Sequence, residues 1–329
     1  MDTVKEENYF FRLSKYQEQL KKLISDDTIK IIPDFRKNEM LSFLKQPLRD
    51  ISISRSSDRA KNWGVPVPGD PTQRMYVWFD ALNIYQSGIG FGWDEKMYEK
   101  WWPADVHVIG KGITRFHTIY WPAFLLSAGL KLPKSIFVHG YFTVNGQKMS
   151  KSVGNVIDPF EMIKKYGADA LRYYLLREIP SSSDGDFSER RFKELYNAEL
   201  ANGLGNLVAR VAKLCEQKKF EEYNSNYLKA IEKYNLIKKQ IDEFKFDEYI
   251  KLIQLRISGW DQSLEENKPW QYKTNIEENL PGYLQLLVTA IRDTAELLLP
   301  VLPETSQKIL EQFKGPAIKS QPPLFPRIP

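Results

Sequence analysis

The chain has 329 residues, of which 42% are hydrophobic, 13% aromatic and 27% charged. This balance is typical of a soluble globular protein with two or three domains. The single cysteine, Cys215, excludes both a disulfide framework and a cysteine-based zinc site, and the net charge of +5 is compatible with a polyanionic partner.

Neither a secretory signal nor a membrane span is predicted. Residues 1–7 are charged and have no apolar core, as a signal peptide would require. The most apolar stretch, 283–303, is interrupted by Arg292, Asp293 and Glu296. We therefore expect a cytoplasmic protein without a membrane partner.

The first 72 residues show no repeated strand–helix units. A helical segment is predicted over residues 8–23, and a loop-rich stretch follows it. The prolines and glycines of residues 63–71 (WGVPVPGDP) exclude a regular helix there. The pattern indicates the end of a larger domain.

Residues 73–145 alternate between strand-like and helical patterns. Strand-like runs lie at 75–79, 106–109 and 136–139, and the main helix between them is predicted over 116–130. Such alternation favours a parallel sheet. Three strands are too few for a complete doubly wound domain, so we expect half of one.

The remaining chain is predicted to be helical. Asp158 and Pro159 are typical of a helix start, Gly167 of its end, and a second helix follows over 168–177. Long helical periodicities then occupy 192–215, 227–244, 247–260 and 280–313, which predicts a helix bundle. The proline-rich residues 316–329 are expected to be disordered. The predicted fold class is thus α/β followed by all-α.

The strongest chemical signal is the run Lys148-Met149-Ser150-Lys151-Ser152, which follows a strand-like segment and lies between Gly146 and Gly154. Two lysines three residues apart, with small hydroxyl side chains and flanking glycines, make a cationic loop. Such a loop can close over a triphosphate and neutralise charge that develops at phosphorus. By spacing alone, a solvated surface loop is an equally good interpretation.

The five-residue string resembles the signature loop of class I aminoacyl-tRNA synthetases. Further segments, covering most of the chain from residue 1 to about 315, resemble the methionyl-tRNA synthetases of this class: 8–16, 63–71, 76–82, 108–113, 115–117, 121–123 and 184–188. The resemblance implies a Rossmann-like nucleotide-binding domain followed by an anticodon-binding helix bundle. It also implies ATP, accompanied by Mg²⁺, together with methionine and tRNA(Met) as substrates.

The resemblance implies a methionine pocket formed by Trp78, Ala81, Leu82, Tyr85, Ile113, His117 and Trp121. Aromatic faces suit the polarisable sulfur of a thioether, and Tyr85 and His117 can offer hydrogen bonds nearby. Without the resemblance, ordinary core packing would be the favoured interpretation of both tryptophans. Gly112 stands where the family commonly has aspartate, so an acceptor near the substrates is absent.

Two further sites are implied by the resemblance. Lys148 and Lys151 are the expected catalytic residues, and Ser150 and His139 are expected beside the ATP. Asn206, Arg210 and Trp270 are expected to read the first anticodon base, with the polar pair on one helix face and the indole stacked on the base. Unaided, Asn206 and Arg210 would more often belong to a solvated helix face.

Two family signatures do not occur in the sequence: the His-x-Gly-His string and the paired-cysteine zinc knuckle. We therefore assign 1–72 to the end of the connective insertion, 73–145 to the second half of the catalytic domain, 146–190 to the lysine loop and stem-contact region, and 191–315 to the anticodon bundle. Three explanations for the missing signatures remain open. The chain could be a truncated ligase, a subunit completed by a separate N-terminal chain, or a non-catalytic tRNA-binding protein.

Overall fold

The computed structural model describes residues 6–144, 146–150, 152–216, 218–271 and 280–329. The chain divides into two compact units, Met1–His139 and Gly140–Pro329. Within the described residues, no helix is long and apolar enough to cross a bilayer.

The first unit combines short strands with short helices. Its strands are β1 (Phe10–Phe11), β2 (Lys30–Ile32), β3 (Ile51–Ser52), β4 (Ser54–Ser56), β5 (Pro66–Val67), β6 (Asp70–Met75), β7 (His107–Gly110) and β8 (Ser135–His139). Its α-helices are α1 (Gln17–Ser25), α2 (Asp34–Phe43), α3 (Val77–Ala81), α4 (Ile84–Ser87), α5 (Glu95–Trp101) and α6 (Trp121–Ser127). Two 3₁₀ turns, Leu13–Tyr16 and Lys111–Ile113, and a π-helical turn, Phe116–Tyr120, complete it.

The core of the first unit contains a parallel sheet with strand order β2-β8-β7. Ile31 is paired with Ile136, and Ile109 with Val138. All four side chains are at most 2% exposed. The central strand β8 is buried at Ile136, Phe137 and Val138 in succession, as is typical of a central strand of a parallel sheet. The predicted parallel sheet and two of its three strands are confirmed.

The third predicted strand, 75–79, is wrong. β6 pairs antiparallel with β4 and β5 and ends at Met75, and helix α3 follows with Tyr76 as its N-cap. Aromatic and β-branched residues favour any half-buried surface, which a short helix also provides. The third strand of the parallel sheet is instead β2, within the residues expected to end an insertion.

The second unit is mostly helical. Its strands are β9 (Phe142–Val144), β10 (Gln147–Lys148) and β11 (Gly185–Phe187). Its α-helices are α7 (Pro159–Tyr166), α8 (Ala168–Arg177), α9 (Glu189–Leu195), α10 (Asn206–Cys215), α11 (Tyr227–Glu232), α12 (Asn235–Asp242), α13 (Phe246–Asn267), α14 (Leu280–Leu298) and α15 (Pro303–Gln312). A π-helical stretch, Tyr196–Gly205, joins α9 to α10, and a 3₁₀ turn, Pro269–Gln271, follows α13.

The predicted helix bundle is confirmed, and its helices share one large apolar core. The Asp158 carboxylate caps α7 by accepting from the Phe160 N–H at 2.8 Å, and Gly167 ends that helix with a φ of +86°. The predicted helix 227–244 is divided into α11 and α12. Periodicity alone does not reveal this break, because each of the two helices places apolar side chains in the bundle core.

The expectation of a disordered tail over residues 316–329 is wrong. Ile318 is fully buried and Phe325 is 8% exposed, and both belong to the bundle core. The Asn197 side chain binds the backbone of Ile328 at both its N–H and its carbonyl group, at 3.0 and 2.8 Å. The segment is not helical, and its buried apolar side chains together with the Asn197 hydrogen bonds hold it on the bundle.

Strand β7 should promote self-association of the chain. It pairs with β8 along one edge, and no strand of the described residues covers its other edge. Val108 in this strand is 59% exposed. An open, apolar strand edge is a template for pairing with another chain. Sizing with light scattering should therefore show oligomers that grow with protein concentration.

The variant Val108→Lys should shift the chain toward the monomer, because a charged side chain opposes edge pairing. Val156→Lys is the matched control, since Val156 is 50% exposed and lies outside the sheets. A concentration-independent monomer for the unmodified chain would contradict the expectation.

Candidate functional site

The residues predicted to bind methionine lie in the first unit, most of them in one aromatic cluster. Trp78 lies in α3 and Tyr85 in α4, while Leu82 and Trp121 are each 1% exposed in the centre of the cluster. The rings of Tyr85 and Trp121 are 6.4 Å apart. Ala81 is exposed beside Leu82 in the chain. The structure thus gathers residues that are up to 43 positions apart, from 78 to 121.

A chain of two hydrogen bonds orients the polar groups of this cluster. The Nδ1 atom of His117 lies 2.9 Å from the Ile113 carbonyl oxygen, and its Nε2 atom lies 2.8 Å from the Tyr85 hydroxyl. A carbonyl oxygen can only accept, so Nδ1 carries the proton of the neutral ring. Nε2 then accepts from the Tyr85 hydroxyl, whose oxygen keeps lone pairs for a further donor.

Burial keeps these groups neutral. It lowers the pKa of His117, although the hydrogen bond to Ile113 acts in the opposite direction. Burial, with a smaller contribution from neighbouring His117, lowers the pKa of His107 to about 4. The pKa of the Tyr85 hydroxyl is raised by burial. An uncharged aromatic pocket with a few oriented polar groups suits an apolar thioether.

Sequence reasoning missed some members of the cluster. Phe116 stacks on Trp78 with ring centroids 4.2 Å apart, and Trp102 packs edge-on against Trp121. Phe116 could have been found, since it directly precedes His117. His107 is 4% exposed, and its ring centroid lies 4.3 Å from that of Tyr85. Within the described residues, the Trp121 indole N–H is a buried donor without a partner.

The lysine loop lies in the second unit. Lys148 ends strand β10, which pairs with β9, and its ammonium group lies 5.4 Å from the Tyr141 ring centroid. The hydroxyls of Ser150 and Ser152 are 2.7 Å apart. Lys151 falls outside the described residues. His139, the other predicted nucleotide residue, ends strand β8 in the first unit, paired with Gly110.

The hairpin that presents Lys148 is held by a carboxylate that sequence reasoning left without a role. Asp186, in β11, accepts from the Thr143 hydroxyl at 2.7 Å and from the Gly146 N–H at 2.8 Å. Gly146 has a φ of +72°, which only glycine adopts without strain. The turn before Lys148 is therefore built jointly by a glycine and by a side chain about 40 residues later.

The predicted anticodon residues lie together in the bundle. Arg210 lies one turn after the exposed Asn206 in α10. The centre of its guanidinium group is 5.2 Å from the Trp270 ring centroid. Lys268 ends α13 in the left-handed conformation, with a φ of +43°, and so turns the chain toward Trp270. Trp270 is 48% exposed and thus leaves ring surface open to a base.

Two acidic residues of α13 hold Arg210 in place. One guanidinium nitrogen donates to Asp261 at 2.8 Å and another to Glu265 at 2.6 Å. The two carboxylates are four residues apart, so they share a helix face. The sequence shows the spacing of Asp261 and Glu265, but it does not show that their partner is Arg210, which lies 51 and 55 residues earlier.

A metal site within the protein is not indicated by the described residues. They contain no group of three or more histidine, cysteine or acidic side chains that could hold an ion.

The stability of the first unit should depend on pH through His107. The unfolded imidazole, with its ordinary pKa of 6.5, takes up a proton at a pH where the folded one, with a pKa of about 4, does not. Lowering the pH between these values therefore favours unfolding. From about pH 7 to about pH 4.5, this group should cost about 2–3 kcal/mol of unfolding free energy.

Urea unfolding of the chain and of His107→Phe at both pH values measures this contribution. Between the two pH values, the unfolding free energy of the variant should fall by about 2–3 kcal/mol less than that of the unmodified chain. Parallel dependences in the two proteins would contradict the burial-lowered pKa of His107.

Comparisons with known proteins identify the family of the chain. A family model described as tRNA synthetases class I (M) matches residues 1–212. The chain is 43% identical to the methionine–tRNA ligase of Thermotoga maritima, over 94% of this chain and 50% of that protein. It is 37% identical to the methionine–tRNA ligase of Bacillus subtilis, over 100% of this chain and 54% of that protein. The chain thus spans about half the length of these relatives.

Solved structures give the same result. Mycobacterium tuberculosis methionyl-tRNA synthetase in complex with methionyl-adenylate matches with a TM-score of 0.89 and 34% identity, over 98% of this chain and 69% of that one. The apo form of that enzyme matches with a TM-score of 0.86 and 32% identity, over 99% and 70%. The chain therefore belongs to the methionyl-tRNA synthetases, a family of class I aminoacyl-tRNA synthetases.

Proposed function

We propose that this chain supplies the methionine pocket, the lysine loop and the anticodon-reading bundle of a methionine–tRNA ligase. The observation that carries the proposal is the hydrogen-bonded series from Ile113 through His117 to Tyr85 inside an aromatic cluster. A plain hydrophobic core has no need of an oriented imidazole and phenol beside partly open rings.

In the proposed pocket, the methionine side chain lies against aromatic faces. Trp78 and Trp121 provide apolar surface for the thioether, and sulfur–ring contacts are favourable. The Tyr85 oxygen keeps lone pairs that can accept a hydrogen bond from the ammonium group of methionine.

In the proposed activation step, a carboxylate oxygen of methionine attacks the α-phosphorus of ATP. The new carbonyl–O–P bond forms methionyl adenylate, and the bond to the β,γ-phosphates breaks to release pyrophosphate. Lys148 and Lys151 would neutralise charge on the phosphates, assisted by the Mg²⁺ that accompanies ATP. Ser150 and His139 are also proposed to bind the nucleotide. A hydroxyl at the 3′ end of tRNA(Met) then takes the methionine and releases AMP.

Recognition of the tRNA is proposed for the bundle. A cytosine that leaves the base stack would lie on the Trp270 ring while Asn206 and Arg210 contact its Watson–Crick edge. The ion pairs of Arg210 with Asp261 and Glu265 support this role, because they hold the guanidinium group beside the ring before a base arrives.

The assignment of residue ranges to domains is also a proposal. Residues 1–72 would end the connective insertion, 73–145 would form the second half of the catalytic domain, 146–190 the lysine loop with the stem-contact region, and 191–315 the anticodon bundle. The remaining half of the ATP site, with its His-x-Gly-His string, would come from a further polypeptide segment or a separate N-terminal chain in the cytoplasm.

The isolated chain should show negligible methionine-dependent ATP–pyrophosphate exchange, because half of the proposed ATP surface is missing. Adding the N-terminal half of a relative such as the T. maritima ligase should raise the rate if the two parts associate. In that mixture, Lys148→Ala or Lys151→Ala should cost about 2–4 kcal/mol of transition-state stabilisation.

Lys164→Ala is the matched control, since this exposed lysine lies on α7 outside the loop. Rapid exchange by the isolated chain, or an equal loss in the control, would contradict this assignment.

Binding of tRNA should depend on the bundle and not on the missing half. Trp270→Ala should weaken binding by about 1–3 kcal/mol, the usual value for a base–aromatic stack. Asn206→Ala and Arg210→Ala should mainly relax the preference for cytosine at the first anticodon position. Competition binding at fixed salt, between a tRNA with the anticodon CAU and one altered only at that base, measures both effects.

Leu255→Ala provides the control, because this side chain on α13 is 69% exposed and outside the proposed site. Equal affinity for the two tRNAs, with Trp270→Ala behaving like the control, would make Trp270 an ordinary packing residue.

A further inference from the structure

The side chain of Asn155 bridges two backbone groups of the lysine loop. Its Oδ1 atom accepts from the Ser150 N–H at 2.9 Å, and its Nδ2 atom donates to the Lys148 carbonyl oxygen at 3.3 Å. The primary amide thus uses one acceptor and one donor on the same short stretch of backbone.

This pattern is the one by which a neighbouring strand binds an extended segment. In extended backbone, the carbonyl group of one residue and the N–H of the second residue after it point to the same side. The Asn155 amide therefore takes the place of a strand partner opposite Met149. Strand β10 ends at Lys148, and this bridge continues its extended conformation to Ser150.

The turn that follows closes the loop on the same residue. The carbonyl oxygen of Ser150 accepts from the N–H groups of Val153 and Gly154 at 3.2 and 3.1 Å. Gly154 adopts a φ of +72°, which reverses the chain and brings Asn155 back beside Lys148. Both backbone groups of Ser150 are thus bound by residues 153–155.

The orientation of the functional side chains follows from the bridge. Alternate side chains of extended backbone lie on the same face. Lys148 and Ser150 therefore share a face, and Met149 lies on the opposite one. Pairing with β9 holds the backbone of Lys148, and beyond the end of β10 the bridge from Asn155 binds the Ser150 N–H.

We propose that Asn155 is a positioning residue of the ligase: it holds Lys148 and Ser150 on one face of the loop so that both address the phosphates of the nucleotide. The inference rests on the proposed ATP-binding role of the loop and adds a residue that acts through the backbone alone. An ordinary turn asparagine, the simpler alternative, would stabilise the loop without affecting the nucleotide.

The first measurement is hydrogen exchange of the Ser150 amide in the full chain. Asn155→Ala removes the acceptor, so this amide should exchange about fivefold faster or more. Asn155→Asp keeps an oxygen acceptor and should leave the exchange rate close to that of the unmodified chain. Asp158→Ala is the control: it removes the neighbouring cap of α7, which binds the Phe160 N–H, and leaves the bridge intact.

The second measurement is acylation of the Lys148 ammonium group with and without Mg-ATP, followed by mass spectrometry. It is made on the mixture of the chain with the N-terminal half of the T. maritima ligase, after sizing has shown that the two parts associate, so that both halves of the proposed ATP surface are present. In the unmodified chain and in Asp158→Ala, Mg-ATP should slow acylation of Lys148. In Asn155→Ala, more than about half of this protection should be lost, because the loop no longer presents the lysine to the phosphates.

Faster Ser150 exchange together with lost protection in Asn155→Ala supports the proposal. Unchanged Ser150 exchange in that variant would overturn the bridge, and full protection despite faster exchange would overturn the positioning role. Absence of protection in the unmodified chain would instead count against ATP binding by the loop, and the exchange rates would then still decide the bridge.

Discussion

The parallel pairing of β7 with β8 is the constraint on which the first unit depends. It aligns Ile109 with Val138 in the core, and a slip of β7 by one residue would turn Ile109 away from it. The same register places Gly110 beside His139 at the carboxyl ends of the two strands. After β7 ends there, the chain forms the turns that contain Ile113 and His117. The position of the aromatic cluster thus depends on the register of the sheet.

The candidate methionine site and the candidate anticodon site differ in their charge. In the first unit, burial removes charge: the pKa values of His107 and His117 are lowered, so the pocket is neutral and suits an apolar side chain. In the bundle, Arg210 stays charged at a partly exposed position, where Asp261 and Glu265 orient it without the full cost of burying ions. A nucleobase edge is polar, and a fixed guanidinium group can read it.

Side chains from distant positions hold two irregular segments of the second unit. Asp186 holds the turn before Lys148, and the Asn197 amide holds the irregular segment at Ile328. Each uses the same means: a short polar side chain satisfies backbone groups that a helix or sheet would otherwise satisfy. Loops held in this way need no regular secondary structure to have a defined shape, which is why the proline-rich segment after residue 315 is ordered.

The sequence by itself determined the α/β-then-helical order, the helix starting at Pro159, the strands at His107 and Ser135, and the identity of the lysine loop, because these depend on local propensity and on short strings of residues. Only the tertiary structure decided that Lys30–Ile32 completes the parallel sheet, that residues 77–81 are helical, and that Asp261 and Glu265 hold Arg210. The physical reason is the same for the strand and for the ion pairs. Paired strands and ion pairs join residues about 50 to 100 positions apart. A local sequence pattern shows that a residue can form a strand or an ion pair, but it does not show which distant residue will be its partner in the folded chain.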